Sequence, residues 1–201
     1  MAETTEPATR DQPVVREARP ADAAGIARVH VDTWRTTYRG IVPDDHLDAL
    51  SYEARERYWA GALERIAAAE GLGATGNARP SGIFVAAASG GEVVGFASCG
   101  REATGDPEYP GELYAIYVLD AWQGHGLGRR LARAVADRLA AAGLRAMLVW
   151  VLADNPMRRF YEALGGRPLR EKKVEIDGVA LDEVAYGWPD TAALRDVGRG
   201  P

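Results

Sequence analysis

The chain is poor in the residues that would announce several kinds of chemistry. Its 201 residues include one cysteine, Cys99, so an intramolecular disulfide and a thiolate-rich metal cluster are both excluded. Cys99 lies in the apolar stretch GFASCG, where a buried, inert thiol is expected. The three histidines, His30, His46 and His125, gather no second ligand type around them, and no metal site is predicted. His30 and His46 read as helix-surface or partly packed residues, and His125 as a loop position. No apolar run is long enough to span a membrane. The opening MAETTEPATRDQP is polar and lacks the apolar core of a secretory signal, so a soluble cytoplasmic protein is the expectation. Net positive charge is also missing. The formal charge of −5 argues against a general grip on nucleic-acid phosphates and only mildly suits a cationic substrate.

What is present is ordinary globular composition, 47% hydrophobic and 26% charged, at a length that suits one domain with a proper core. Residues 1–12 read as a disordered tail, 13–189 as a single domain and 190–201 as a second tail. VVREARP is predicted as a short strand. A helix follows, with Ile26, Val29, Thr33 and Thr37 on one face. Pro43 opens a further helical stretch through YEARERYWAGALERIAAA, and EGLGATGNARPSG is a glycine-rich loop. SGIFVAAA and GEVVGFASCG form a hairpin around Ser89-Gly90-Gly91, and GELYAIYVL is the next strand. Leu127, Leu131, Val135 and Leu139 recur every fourth residue, marking an amphipathic helix that ends at Gly143. RAMLVWVLA is apolar throughout, as in a strand covered on both faces. Asn155 and Pro156 read as cap and first residue of a short helix. KKVEI and LDEVAYGW flank an Asp177-Gly178 turn. The fold class is therefore α/β, one mixed sheet with helices.

The most informative stretch is AWQGHGLGRR, residues 121–130, where glycines at every second position separate a strand from a helix. Glycines there let backbone N–H groups turn toward a ligand at the positive end of a helix dipole, which suits a phosphate. A plain strand-to-helix turn is the alternative. A P-loop needs Lys and then Ser or Thr after the last glycine, and here Arg129-Arg130 follow. A dinucleotide fingerprint needs G-x-G-x-x-G, which fails from Gly124 (Arg129 in third place) and from Gly126 (Leu131).

Gln123-Gly124-His125-Gly126-Leu127-Gly128 instead resembles the Gln/Arg-x-x-Gly-x-Gly/Ala motif of the GCN5-related N-acetyltransferase (GNAT) superfamily. LYAIYVL before it resembles that family's fourth strand. LVWVLADNPMRRFYEALGG after it resembles the fifth strand and following helix, and the element order agrees from about Val14 to Trp188. The resemblance implies a mostly antiparallel sheet of about seven strands, splayed at the centre and flanked by about four helices. It implies an acetyl-CoA-dependent N-acetyltransferase acting on a primary amine in a ternary complex.

Role by role, the resemblance places the CoA pyrophosphate on the loop amides of Gln123, Gly124, His125, Gly126, Leu127, Gly128 and Arg129, with Arg129 and Arg130 in reach of phosphate oxygens. Gln123 would order the loop or meet a phosphate. Ile116, Tyr117 and Val118 would pair their backbone with the pantetheine arm, one amide there stabilising the oxyanion. Asn155 would hydrogen-bond pantetheine as well as cap its helix. Tyr161 would be the general acid for the departing thiolate, although Met157, Phe160, Tyr161 and Leu164 also make an apolar stripe that suits core packing. Glu112 would be the general base, through water rather than directly, with an ordinary solvated strand end as the alternative. Phe160 reads as core.

The acceptor would be set by the first two helices, the loop near 71–82 and the last hairpin, with Trp34, Tyr38 and Arg39 as lining residues. Asp106, Glu108 and Glu112 would favour an amine without naming one. The resemblance also admits a homodimer through the final strands. Two other readings stay open: a non-catalytic acyl-CoA-binding or regulatory module, and a transferase of a longer acyl chain.

Overall fold

The four-residue rhythm of Leu127, Leu131, Val135 and Leu139 becomes a helix whose whole stripe is buried. Its end is a Schellman turn, with the Gly143 N–H donating to Ala140 O (2.9 Å) and the Leu144 N–H to Leu139 O (2.9 Å). The computed structural model describes residues 12–71 and 80–196. Its order is β1 (Val14–Glu17), α1 (Ala23–Thr37), α2 (Asp44–Asp48), α3 (Tyr52–Gly71), β2 (Gly82–Ala87), β3 (Val93–Arg101) and β4 (Gly111–Val118). Then come α4 (Leu127–Ala141), β5 (Met147–Leu152), α5 (Arg158–Ala163), β6 (Arg167–Ile176), β7 (Val179–Trp188) and α6 (Ala193–Asp196). Among the described residues no helix is long and apolar enough to cross a membrane.

The strands form one seven-stranded sheet in the order β1-β2-β3-β4-β5-β7-β6. Every neighbouring pair is antiparallel except β4 with β5. The continuous apolar run of β5 is central, as its composition predicts. The β6–β7 hairpin turns through Asp177 and Gly178, both at positive φ (50° and 77°), as a two-residue primed turn requires. One face of the sheet packs on α4, α5 and α6 through a core that includes Leu131, Met147, Tyr161 and Trp188. The opposite face packs on α1 and α3 through Ile26, Val29, Trp59 and Phe96.

The predicted central splay is present. β4 pairs with β5 at Gly111↔Met147 and Glu112↔Leu148 and nowhere further along its length. Its other edge stays paired with β3 from Arg101↔Gly111 to Gly95↔Val118. A bulge sits at the divergence: Cys99 faces Leu113 and Ser98 faces Ala115, so Tyr114 is the extra residue. A bulge adds local twist, which swings the rest of β4 away from β5.

Three local expectations are corrected. The helical stretch from Pro43 is two helices, α2 and α3, because the Arg35 guanidinium takes the carbonyls of Leu47 (3.2 Å) and Leu50 (2.8 Å) at the break. Ser51 Oγ then accepts the Ala54 N–H (3.2 Å) at the start of α3. The helix expected from Pro156 begins at Arg158, since Asn155 first makes a turn, its Oδ1 accepting the Met157 N–H (2.8 Å). Of 190–201, expected as a tail, Thr191 and Leu194 are buried, and Leu194 joins the core beneath α4. Most of the loop near 71–82, residues 72–79, lies outside the described residues.

Candidate active site

Beyond Glu112 the edge of β4 that faces β5 has no strand partner, so its N–H and C=O groups are open to a ligand laid along it. The gap is a cleft of about 490 Å³. Ile116, Tyr117 and Val118 form one wall, Val149, Trp150 and Val151 the other, and Asn155, Phe160 and Tyr161 close it from α5 and its leading turn.

The glycine loop forms the mouth. Gly124 and Gly126 both have φ +76°, a conformation that other residues adopt only under strain. Gly126 is the N-cap of α4 and brings no side chain to cap it. The amides of Leu127, Gly128 and Arg129 therefore start the helix without an intrahelical acceptor, as an anion site requires. The third glycine has a different purpose. A Cβ on Gly128 would lie 3.0 Å from the Phe160 ring, so its bareness lets α4 and α5 approach. Gln123 orders the loop: its Nε2 donates to Val118 O (3.0 Å) and Asp120 Oδ1 (3.0 Å). Two left-handed glycines two residues apart, an uncapped helix and a neighbouring Arg129 together suit a pyrophosphate, and the open β4 edge suits an amide-bearing arm.

Tyr161 sits at the cleft floor, 7% exposed, with its ring stacked on Tyr186 (5.9 Å). Its hydroxyl makes no hydrogen bond to another described residue. Burial pushes that phenol well above its ordinary range, so it keeps its proton at neutral pH. Asn155 is engaged on both sides, Nδ2 donating to the Tyr38 hydroxyl (3.1 Å) as Oδ1 holds the turn. Trp34 Nε1 in turn donates to the Tyr117 hydroxyl (3.0 Å), so α1 is tied to β4 and to the turn before α5.

The sequence-predicted residues divide clearly. Tyr38, Ile116, Tyr117, Val118, Gln123, Gly124, Gly126, Leu127, Gly128, Arg129, Asn155 and Tyr161 all line the cleft. His125 does not: it is exposed, and its Nδ1 lies 2.7 Å from Gln123 O. Trp34 faces a neighbouring cavity instead. Glu112 occupies the last paired position beneath the fork, half-buried, and lines none of these spaces. Burial, reinforced by Glu102 and Glu183, raises its carboxyl above the usual range despite the Ala103 N–H. Asp106 and Glu108 border a shallower hollow beyond Trp150, and Asp106 is paired there with Arg170. Phe160 is more than core, since it forms cleft wall against Gly128. Trp122, Trp150 and Met157 also line the cleft and carried no sequence signal beyond their apolar character.

One correction concerns His30. Expected at a helix surface or partly packed, it is 7% exposed, within the core between α1, α3 and the sheet. Trp59 Nε1 donates to its Nδ1 (3.2 Å), and burial first, then Arg55, lowers its pKa to about 3. Cys99 is buried as expected, its thiol pushed up to about 12 by burial. Among the described residues no group of three His, Cys, Asp or Glu is placed to hold a metal ion.

Residues 31–166 match the sequence profile of the Acetyltransferase (GNAT) family. The chain belongs to that family. It is 41% identical over 181 residues to the uncharacterized N-acetyltransferase YuaI of Bacillus subtilis (strain 168), covering 90% of this chain and 95% of that protein. It is 33% identical over 137 residues to aminoglycoside N(6')-acetyltransferase type 1 of Stenotrophomonas maltophilia, covering 66% of this chain and 71% of that one. Among solved structures, yncA from Salmonella typhimurium with its cofactor acetyl-CoA shares the fold, with a TM-score of 0.62 at 22% identity over 89% of this chain and 94% of that one. This GNAT protein is thus an acetyltransferase by descent.

Proposed function

We propose that this GNAT enzyme moves an acetyl group from acetyl-CoA to a primary amine by direct attack while both are bound. The observation that carries the reading is the fork: β4 leaves β5 after two paired positions, with Tyr161 at its floor and the uncapped α4 at its mouth. Acetyl-CoA supplies a thioester, an acyl group activated toward a neutral amine.

The chain's residues provide the rest. The amides of 124–129 and Arg129 bind the pyrophosphate, helped by the dipole of α4. Backbone groups of Ile116, Tyr117 and Val118 hold the arm against β4 and present an amide to the carbonyl under attack. Asn155 fixes the turn that forms the far wall. Tyr161, protonated and without a hydrogen bond to another described residue, holds the proton that the leaving sulfur takes. Glu112, with its raised pKa beneath the fork, accepts the amine's proton through water. A covalent relay through Cys99 is disfavoured, because a buried thiol with a pKa near 12 is not a thiolate at neutral pH.

The test is an acceptor screen with acetyl-CoA, read by free thiol and by product mass. Amine-dependent thiol release with a product heavier by one acetyl group is expected. Acetyl-CoA binding in a calorimeter without thiol release from any amine would instead leave a CoA-binding module.

A further inference from the structure

A second cavity of about 800 Å³ lies on the α1/α3 face of the sheet. It shares Tyr114, Ala115 and Tyr117 with the cleft, so the two spaces meet along the stretch of β4 where the strands part. The charged side chains among its described lining residues are Arg55 and Arg65, with no Asp or Glu, in a chain whose net charge is −5. Arg55 is partly buried, and its guanidinium makes no hydrogen bond or ion pair with another described residue. His30 also lines this cavity. Its Nδ1 accepts from Trp59, so the ring proton is on Nε2, and that nitrogen is buried without a partner. Trp34, Tyr58 and Tyr114 add aromatic surface, the two tyrosines about half exposed (55% and 49%).

We infer that this cavity is the acceptor site and selects a primary amine that also carries a carboxylate and a flat apolar body, with Arg55 binding the carboxylate. The inference rests on the acetyltransferase reading above and names the substrate class for it. A partly desolvated, unpaired cation is stabilised by an incoming anion, and the planar guanidinium fork matches a carboxylate in two hydrogen bonds. The aromatic faces take the flat body. Two arginines with no Asp or Glu among the described lining residues repel a polycation, so this cavity is set against an aminoglycoside or a polyamine. The reaction balances with the groups already placed. The amine nitrogen forms the C–N bond, the C–S bond breaks, the nitrogen's proton leaves through solvent to Glu112, and the sulfur departs with the Tyr161 proton, which solvent restores.

The deciding comparison is L-tryptophan against tryptamine, a pair differing by the carboxylate, with kanamycin as the polycation. Steady-state kinetics and calorimetry are run on the full chain and on Arg55→Gln and Arg55→Lys. Expected is a kcat/KM for tryptophan about tenfold or more above tryptamine, in KM, as charge-assisted hydrogen bonds provide. The ratio collapses toward one in Arg55→Gln and is partly kept in Arg55→Lys, while the acetyl-CoA Kd holds in both. Tryptamine or kanamycin equalling tryptophan, or a ratio unmoved by Arg55→Gln, overturns the inference. If no amine releases thiol, it is the acetyltransferase reading that fails. Calorimetric binding of tryptophan over tryptamine, and its loss in Arg55→Gln, then judges the cavity alone.

Discussion

The cleft draws most of its lining from two short runs, within 114–118 and 122–129, and the groups proposed there to bind are largely backbone amides. The cavity on the other side of β4 draws on α1, α3, β2, β3 and β4, and everything distinctive about it is side chain. A ligand held by backbone demands particular conformations, and those demand particular residues at fixed spacing, such as Gly124 and Gly126 at φ +76°. A ligand held by side chains from distant helices imposes no spacing. On the reading proposed above, the cofactor end of the enzyme is written as a motif and the acceptor end is not.

The largest effect expected on the cleft side comes from Tyr161→Phe. Removing the hydroxyl should lower kcat on the order of a hundredfold and leave the acetyl-CoA Kd unchanged, as loss of a general acid does. An unchanged single-turnover rate would make Tyr161 a packing residue of its apolar stripe. Next is Gly126→Val, which forces a β-branched residue to φ +76° in open space, at about 1–3 kcal/mol of strain. The acetyl-CoA affinity should fall about tenfold or more with the domain still folded by circular dichroism. Equal affinity would reduce the glycines to a turn and erase the contrast between the two sites.

On the side-chain side, His30 gives a stability signature. Its pKa is lowered from 6.5 to about 3, so above pH 6.5 it is neutral in both the folded and unfolded chain and adds no pH dependence. Below 6.5 the unfolded chain takes a proton that the folded one refuses until about pH 3. Folding stability is therefore lost as pH falls through that window, by at most about 1.4 kcal/mol per unit. Denaturant melts at pH 7 and pH 5 should show this, and His30→Asn, which keeps an acceptor for Trp59, should flatten the slope. An equal slope in both proteins would remove His30 from the account. The smallest effect is expected from Gln123→Ala. Losing two hydrogen bonds to Val118 O and Asp120 should loosen the loop and weaken acetyl-CoA by about 1 kcal/mol, with kcat at saturation unaffected.

Much of the fold was legible because its elements are local patterns. The stripe of α4, the apolar run of β5 and the Asp177-Gly178 turn were readable, and each forms where expected. At two of the misread places a distant partner overruled the local signal. Arg35 ends α2 by taking carbonyls twelve and fifteen residues away. His30, readable as a helix-surface or a partly packed residue, is enclosed in the core by Trp59, Phe96 and Tyr117. By itself the sequence determined the family, the strand and helix on either side of the glycine loop and the positive-φ glycines within it, because backbone conformation is governed by neighbours in the chain. Only the tertiary structure decided that Glu112 sits beneath the fork rather than in the cleft, that Gly128 serves packing against Phe160, and that Arg55 faces the same strand as Tyr117 without a partner among the described residues. Those placements depend on burial and on charges met across the fold, and neither has a period along the chain.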